Sequence, residues 1–324
     1  MLSAFRFTGK LFLACAFLSV AHGQTPQSLP PLRGYLSSHD PSTIVQCKGR
    51  YYIYSTGQGI PSKSSADKVF WTPGPRVFTN VPAWTTATVP GFTGIFWAPD
   101  VLFFNGQYHL YYAVSTFGSQ VSAIGLVTNP TLDPSDPSYS WTDRGQVIAS
   151  TNGSPYNTID PSFSWDNAGN LWMAFGSYWS GIYLVQLDPV TGLRIAPNSP
   201  THSVAYNSSI EASYLWRRGG YYYLFVNWGS CCDGVDSTYN IRVGRSTSIT
   251  GPYLDRNGMN MGSGGGTPFM QANGKYTGPG HVGILNEGNT TWFSYHYYDA
   301  NAFGRARLGL GKIDWSSGWP VAVK

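Results

Sequence analysis

The sequence predicts an all-β protein, a five-bladed β-propeller in a single domain, and three observations carry that prediction. Of the 324 residues only 11% are charged, about half the usual share, which denies a helical bundle or coiled coil the residues it needs. Aromatics reach 16%, with 38 Gly and 22 Pro, a mixture of strand formers and turn formers. The third observation is one hairpin plan that recurs five times: a polar start, a short apolar strand, a Gly-containing turn and a Tyr-rich strand.

The units begin at Asp40 (Asp-Pro-Ser-Thr-Ile-Val-Gln-Cys-Lys-Gly-Arg-Tyr-Tyr-Ile-Tyr), at Ala98 (Ala-Pro-Asp-Val-Leu-Phe-Phe-Asn-Gly-Gln-Tyr-His-Leu-Tyr-Tyr) and at Asp160 (Asp-Pro-Ser-Phe-Ser-Trp-Asp-Asn-Ala-Gly-Asn-Leu-Trp-Met-Ala). The fourth begins at Glu211 and the fifth, looser, at Gly280. Further strands follow near residues 121–127, 181–187, 239–245 and 307–313. A small aromatic sheet cannot bury both of its faces alone. Stacking five of them around an axis buries those faces and leaves only short edges. No stretch reads as a linker, so residues 24–324 are expected to form one domain.

Residues 1–23 read as a signal peptide. Arg6 and Lys10 precede an apolar run from Leu11 to Val20, too short for a membrane span, and Ala21 and Gly23 are small residues suited to a cut. The expected location is therefore secreted and extracellular. Cys47, Cys231 and Cys232 remain after the cut. The adjacent pair either forms a vicinal disulfide that stiffens the 229–234 loop or stays as two buried thiols. Sequons at Asn152, Asn207 and Asn289 permit glycosylation, and the one at Asn207, close to Glu211, is expected to be unoccupied. A net charge of +4 without basic runs offers no phosphate-tracking stripe, so nucleic acid is not an expected partner, and with no other apolar run of spanning length neither is a membrane. Nothing demands more than a monomer.

In a propeller the first strand of each blade lines the channel, so Asp40, Asp160 and Glu211 meet on a ring with His281. Carboxyls ringed in an aromatic-lined cleft suit glycoside hydrolysis, in which one protonated acid serves the leaving oxygen and an ionised one activates water or attacks. Trp97 and Phe117 are candidates to stack on sugar faces.

His39-Asp40-Pro-Ser, Trp97-Ala-Pro-Asp-Val, Asn157-Thr-Ile-Asp160-Pro-Ser, Ile210-Glu211-Ala-Ser and Gly278-Pro-Gly-His281 resemble the ordered motifs of glycoside hydrolase family 43. Within it they are most similar to the secreted fungal endo-1,5-α-L-arabinanases, as is the Ser230-Cys-Cys-Asp-Gly stretch followed by Ser237-Thr-Tyr-Asn-Ile. The resemblance implies inverting hydrolysis of linear arabinan, a polysaccharide substrate. Asp40 would be the general base, Glu211 the general acid, and Asp160 the group that tunes the acid and helps to hold the sugar. It also implies substrate contacts from Trp97, Phe117, Gly118, Asn157, Ser177, Tyr178 and Trp179. One calcium or other ion is expected near His281, held largely through waters, against the alternative of a satisfied core histidine. Three other readings stay open. The first is an exo-acting arabinofuranosidase or β-xylosidase of the same family, which commonly carries a further C-terminal domain not seen before Lys324. The others are a non-catalytic carbohydrate-binding propeller and a WD-type interaction propeller, whose repeated signatures are missing.

Overall fold

The computed structural model describes residues 29–323, so the expected signal peptide lies outside the described residues. Five antiparallel sheets follow one another along the chain as five blades of a β-propeller. Blade 1 contains Val45–Cys47, Arg50–Tyr54, Ser62–Ser65 and Phe70–Pro73, counted from the channel outward. Blade 2 contains Ile95–Phe104, Gln107–Val114, Ser122–Asn129 and Thr142–Ser150. Blade 3 contains Ser162–Trp165, Leu171–Phe175, Ile182–Leu187 and Thr201–Ala205. Blade 4 contains Glu211–Arg218, Tyr221–Trp228, Asn240–Ser246 and Thr267–Met270. Blade 5 contains Tyr276–Glu287, Thr290–Asp299, Arg305–Asp314 and Val321–Val323.

Two short strands lie outside the repeat. Arg33–Gly34 runs parallel to the outer edge of blade 1, and Gly57–Gln58 pairs with the start of blade 2. The one α-helix among the described residues is the short Ala83–Thr88, between blades 1 and 2. No described helix is long and apolar enough to cross a membrane.

The blades adhere through their faces, as the aromatic composition requires. Five apolar clusters mark the five seams. Val114 and Tyr54 belong to the seam of blades 1 and 2, Phe163 and Tyr111 to that of blades 2 and 3, and Leu215 and Leu184 to that of blades 3 and 4. Phe225 and Phe293 join blades 4 and 5, while Ile53, Trp71 and Leu308 close the ring between blades 5 and 1. Each such side chain contributes about 1.5–3 kcal/mol by leaving water. The chain before blade 1 also fastens this last seam, since the Leu308 amide donates to the Leu36 carbonyl at 2.8 Å and Ser37 bridges to Arg307.

The strand direction sets the working face. Inner strands run away from the ring of acids, second strands run back, and the loops joining second to third strands therefore surround that ring. Those loops hold Phe117, Trp179, the Cys231–Cys232 pair and Phe303. The two cysteines are joined as a disulfide, and Cys47 is a buried free thiol between blades 1 and 2. Asn152 and Asn289 are exposed, whereas Asn207 is half-buried with its Oδ1 accepting from the Ser209 amide at 3.2 Å.

Candidate active site

Each blade presents its ring residue by the same backbone device. Asp40, Ala98, Asp160, Ala212 and His281 all have positive φ, between 35° and 58°. This left-handed region costs a residue with a Cβ about 1–3 kcal/mol and persists where the surroundings dictate it, commonly at functional sites. In blades 2, 4 and 5 a bulge lies at the same place, between Trp97 and Asp100, Glu211 and Tyr214, and Gly280 and Gly283. Bulges re-aim side chains.

That register corrects the sequence reading of the repeat. Asp40 and Asp160 share a position with Ala212 and His281, while Glu211 stands one residue earlier, the place of His39, Trp97 and Gly280. Taken from the starts at Asp40, Ala98, Asp160, Glu211 and Gly280, the last two units shift by one residue onto the left-handed positions Ala212 and His281. Glu211 still reaches the ring, because its charge acts on His39 and the charges of Asp160 and Asp40 act on it across the channel. The three carboxyls do meet.

Asp40 sits among donors. Its Oδ2 accepts from Thr56 Oγ1 at 2.6 Å and faces His39 Nδ1 at 2.8 Å, while Oδ1 lies 3.6 Å from His281 Nδ1 and 3.5 Å from His296 Nδ1. Its backbone N–H donates to His296 Nδ1 at 3.1 Å. Thr56 is itself fixed, since the Ala98 amide donates to its Oγ1 at 2.7 Å. Burial alone would push the Asp40 carboxyl up. The charge on His39 and the hydrogen bonds from His281 and His39 outweigh it and hold Asp40 well below the ordinary carboxylate range. His281 responds in kind: burial would lower it, but the bond to Asp40 and the negative charges around it raise it to about 9.

Glu211 is driven the other way. Burial comes first and the negative charge of Asp160 second, and together they raise it to about 7 against hydrogen bonds from Tyr239 and from Ser177 Oγ, the latter at 3.1 Å. Asp160, whose Oδ2 accepts the Ala212 amide at 2.8 Å, is itself raised to about 6, mainly by burial. Tyr239 belongs to the Ser237-Thr-Tyr-Asn-Ile stretch, whose sequence alone carries no role for it. Its ring packs against Gly280, where any Cβ would collide with it, so the glycine of Gly278-Pro-Gly-His281 makes room for a donor to Glu211.

Around this ring the mouth is aromatic. Phe117 is 81% exposed and meets half-buried Trp97 edge-on at 5.6 Å. Trp179 is 43% exposed. Tyr178 and Trp179 are consecutive residues with positive φ, and the turn is tied down by the Tyr178 amide donating to the Ile210 carbonyl at 2.7 Å. Gly118 has φ 71° and open space where a Cβ would stand. Asn157 is buried, its Oδ1 accepting from Ser122 Oγ at 2.7 Å, which places it behind the surface as a support. On the far side of the ring the channel holds a cavity of about 360 Å³ lined by Thr43, Asp100, Phe163, Trp165, Tyr214 and Trp216, among others. The residues missed in the sequence are Thr56, Tyr239, His296 and Tyr298, all brought to the ring from later strands and loops of their blades.

The model for glycosyl hydrolases family 43 matches residues 35–320. The chain belongs to that family. It is 43% identical over 290 residues to the extracellular endo-alpha-(1->5)-L-arabinanase 1 of Bacillus subtilis, covering 87% of this chain and 86% of the relative. It is 41% identical over 330 residues to the probable arabinan endo-1,5-alpha-L-arabinosidase A of Aspergillus clavatus, covering 95% and 97%. Among solved structures, an exo-1,5-alpha-L-arabinanase from a bovine ruminal metagenomic library superposes with a TM-score of 0.85 at 41% identity, covering 89% of this chain and 97% of that one.

For this family 43 chain the fit of a cation at His281 follows from its donors. Calcium takes six to eight oxygens, whereas His281 offers nitrogen and turns its Nδ1 to Asp40. Among the described residues, the groups of three or more ligand atoms close enough to share an ion are His39–Cys231–Cys232 and His39–Asp40–His296, and neither includes His281. The side chains do not by themselves form a calcium cage.

Proposed function

We propose that this family 43 chain hydrolyses α-1,5-linked arabinan at internal linkages, with inversion at the anomeric carbon. The observation that carries the reading is the opposite drive on two carboxyls of one ring. Asp40 is held ionised and Glu211 is held protonated up to about pH 7, the division of labour an inverting glycosidase needs. Asp40 takes a proton from water as that water's oxygen bonds to the anomeric carbon. Glu211 gives its proton to the departing arabinosyl oxygen as the glycosidic bond breaks. Asp160 supplies negative charge that, with burial, keeps Glu211 protonated, and its carboxylate can accept from a sugar hydroxyl.

Trp97, Phe117 and Trp179 offer faces to the sugars, Gly118 leaves space for close approach, Ser177 and Tyr178 line the turn beside Glu211, and Asn157 supports that wall from behind. Exposed Phe117 and Trp179 stand on different blades, which supports a substrate that extends beyond one sugar. A secreted protein agrees with the leader-like residues 1–23 and with the word extracellular in the name of the Bacillus subtilis relative. The chain is read as a monomer. A calcium ion near His281, its oxygens drawn largely from water, stays part of this proposal without a role in the reaction.

The exo reading is the alternative, because a solved relative at 41% identity is an exo-1,5-alpha-L-arabinanase. A chromatographic time course on linear arabinan decides it: mixed oligosaccharides in the first minutes are expected, and arabinose or a single product from the outset would sink endo action. In the same assay Glu211→Gln should lose about 10²–10⁴-fold in kcat while still binding arabino-oligosaccharide; full turnover would remove Glu211 as the acid.

A further inference from the structure

The disulfide Cys231–Cys232 lies in a loop of blade 4, yet its contacts lead to the carboxylate of blade 1. The Cys232 amide donates to the Tyr298 hydroxyl oxygen at 2.7 Å. That hydroxyl is 2.8 Å from His39 Nε2, and His39 Nδ1 is 2.8 Å from Asp40 Oδ2. Cys232 Sγ itself stands 3.8 Å from His39 Nε2. The opposite side of the imidazole is closed as well, since His39 stacks on His296 at 4.2 Å and His296 Nδ1 accepts the Asp40 amide.

We propose that the Cys231–Cys232 turn is a redox-sensitive positioning element for Asp40, acting through Tyr298 and His39. The inference rests on the reading of Asp40 as the base. A phenol has one proton and two lone pairs. With its oxygen accepting from the Cys232 amide, Tyr298 meets His39 Nε2 through its second lone pair when the imidazole is charged and through its O–H when it is neutral, and in both states His39 Nδ1 carries a proton toward Asp40. The ring is held in one tautomer and one orientation, and the carboxylate with it. Cys232 occupies the left-handed region at φ 66°, a conformation residues with a Cβ rarely keep unaided. The covalent link to Cys231 supplies the constraint.

A small dithiol such as dithiothreitol is the reductant. Its two sulfurs lose two electrons and two protons to form a cyclic disulfide, the Cys231–Cys232 bond breaks, and each cysteine sulfur gains one electron and one proton. Cys232 is then free to leave the left-handed region, and its amide no longer fixes Tyr298. The Asp40 carboxylate keeps its charge and loses its aim. Misplacement of a reacting group by about 1 Å costs up to about 10²-fold in rate, and sugar stacking on other loops is untouched.

The test measures kcat and KM on linear arabinan for wild type with and without dithiothreitol, for Cys231→Ser/Cys232→Ser, for Tyr298→Phe, for the triple variant and for Asp40→Asn. Reduced wild type, the serine pair and Tyr298→Phe are each expected to lose about 10-fold in kcat with KM within about two-fold. Dithiothreitol should leave the serine pair unchanged. The triple variant should be no slower than Tyr298→Phe, because the substitutions interrupt one path. Full kcat in the reduced wild type, or losses that appear in KM alone, would overturn the positioning role, and because this arm uses the unmutated chain a misfolded variant cannot mask it. Asp40→Asn separates the two readings: activity there defeats the base assignment, whereas its loss beside full activity in reduced wild type defeats only the disulfide's part.

Discussion

Blades 1 and 4 offer the channel the same kind of group from the same kind of strand, and the protein treats the two in opposite ways. Both carboxyls are buried, and burial raises both. Around Asp40 the chain gathers the imidazoles of His39 and His281 and the Thr56 hydroxyl. Around Glu211 it provides two neutral hydroxyls, Tyr239 and Ser177, and the negative charge of Asp160. Depth does not distinguish an acid from a base here. The sign of the neighbours does, because a charge beside a buried carboxyl outweighs the solvent it has lost.

The sharpest way to break that contrast is to remove the charge on the blade 4 side. Asp160→Asn keeps an oxygen for the Ala212 amide and loses the anion that helps to raise Glu211. Glu211 should then ionise at lower pH, and the alkaline limb of the kcat profile should move down from about 7. At neutral pH the loss should be about 10²-fold, read in a pH series on arabino-oligosaccharide. An alkaline limb that stays in place would show that Asp160 acts on something other than the Glu211 proton.

The same contrast has a cost in stability. The folded pKa of Glu211, about 7, lies above its ordinary value of 4.5. Between those values the folded state binds more protons than the unfolded chain, so this group's contribution to stability falls as pH rises across the window. Glu211→Gln carries no charge to bury. Its urea midpoint should therefore gain on wild type between pH 5 and pH 8; a difference that does not change with pH would mean that Glu211 is not protonated in the fold.

How far these features were legible depends on their range. The blade count was, because each hairpin is local and its Gly turn and Tyr-rich strand repeat in the sequence. Asp40 and Asp160 were, because each opens its repeat as Asp-Pro-Ser and the recurrence marks one shared position. Glu211 was found with its register one residue out, since Ala212 occupies the turn and no Pro follows. Tyr298, Thr56 and Tyr239 were not legible as site residues. They come from the ends of second strands and the loops beyond, and only closing the ring brings Tyr298, 259 residues from His39, against it. The Cys231–Cys232 disulfide could be weighed from adjacency; its proximity to His39 could not.

The smallest expected effect is the most specific. A donor to Glu211 favours the ionised form, so removing one must raise the pKa, opposite in direction to Asp160→Asn. Tyr239 is buried and held well above its ordinary pKa, first by burial and then by the Glu211 charge, so it keeps its proton and donates. Phe at this position retains the ring that packs on Gly280, and only the hydroxyl is lost. Tyr239→Phe should move the alkaline limb of kcat up by roughly 0.5 pH unit, and Ser177→Ala, with its 3.1 Å bond, by less. If Tyr239→Phe instead moved the limb down, its hydroxyl would be stabilising the protonated acid, and the contrast between neutral donors in blade 4 and cationic ones in blade 1 would have to be redrawn.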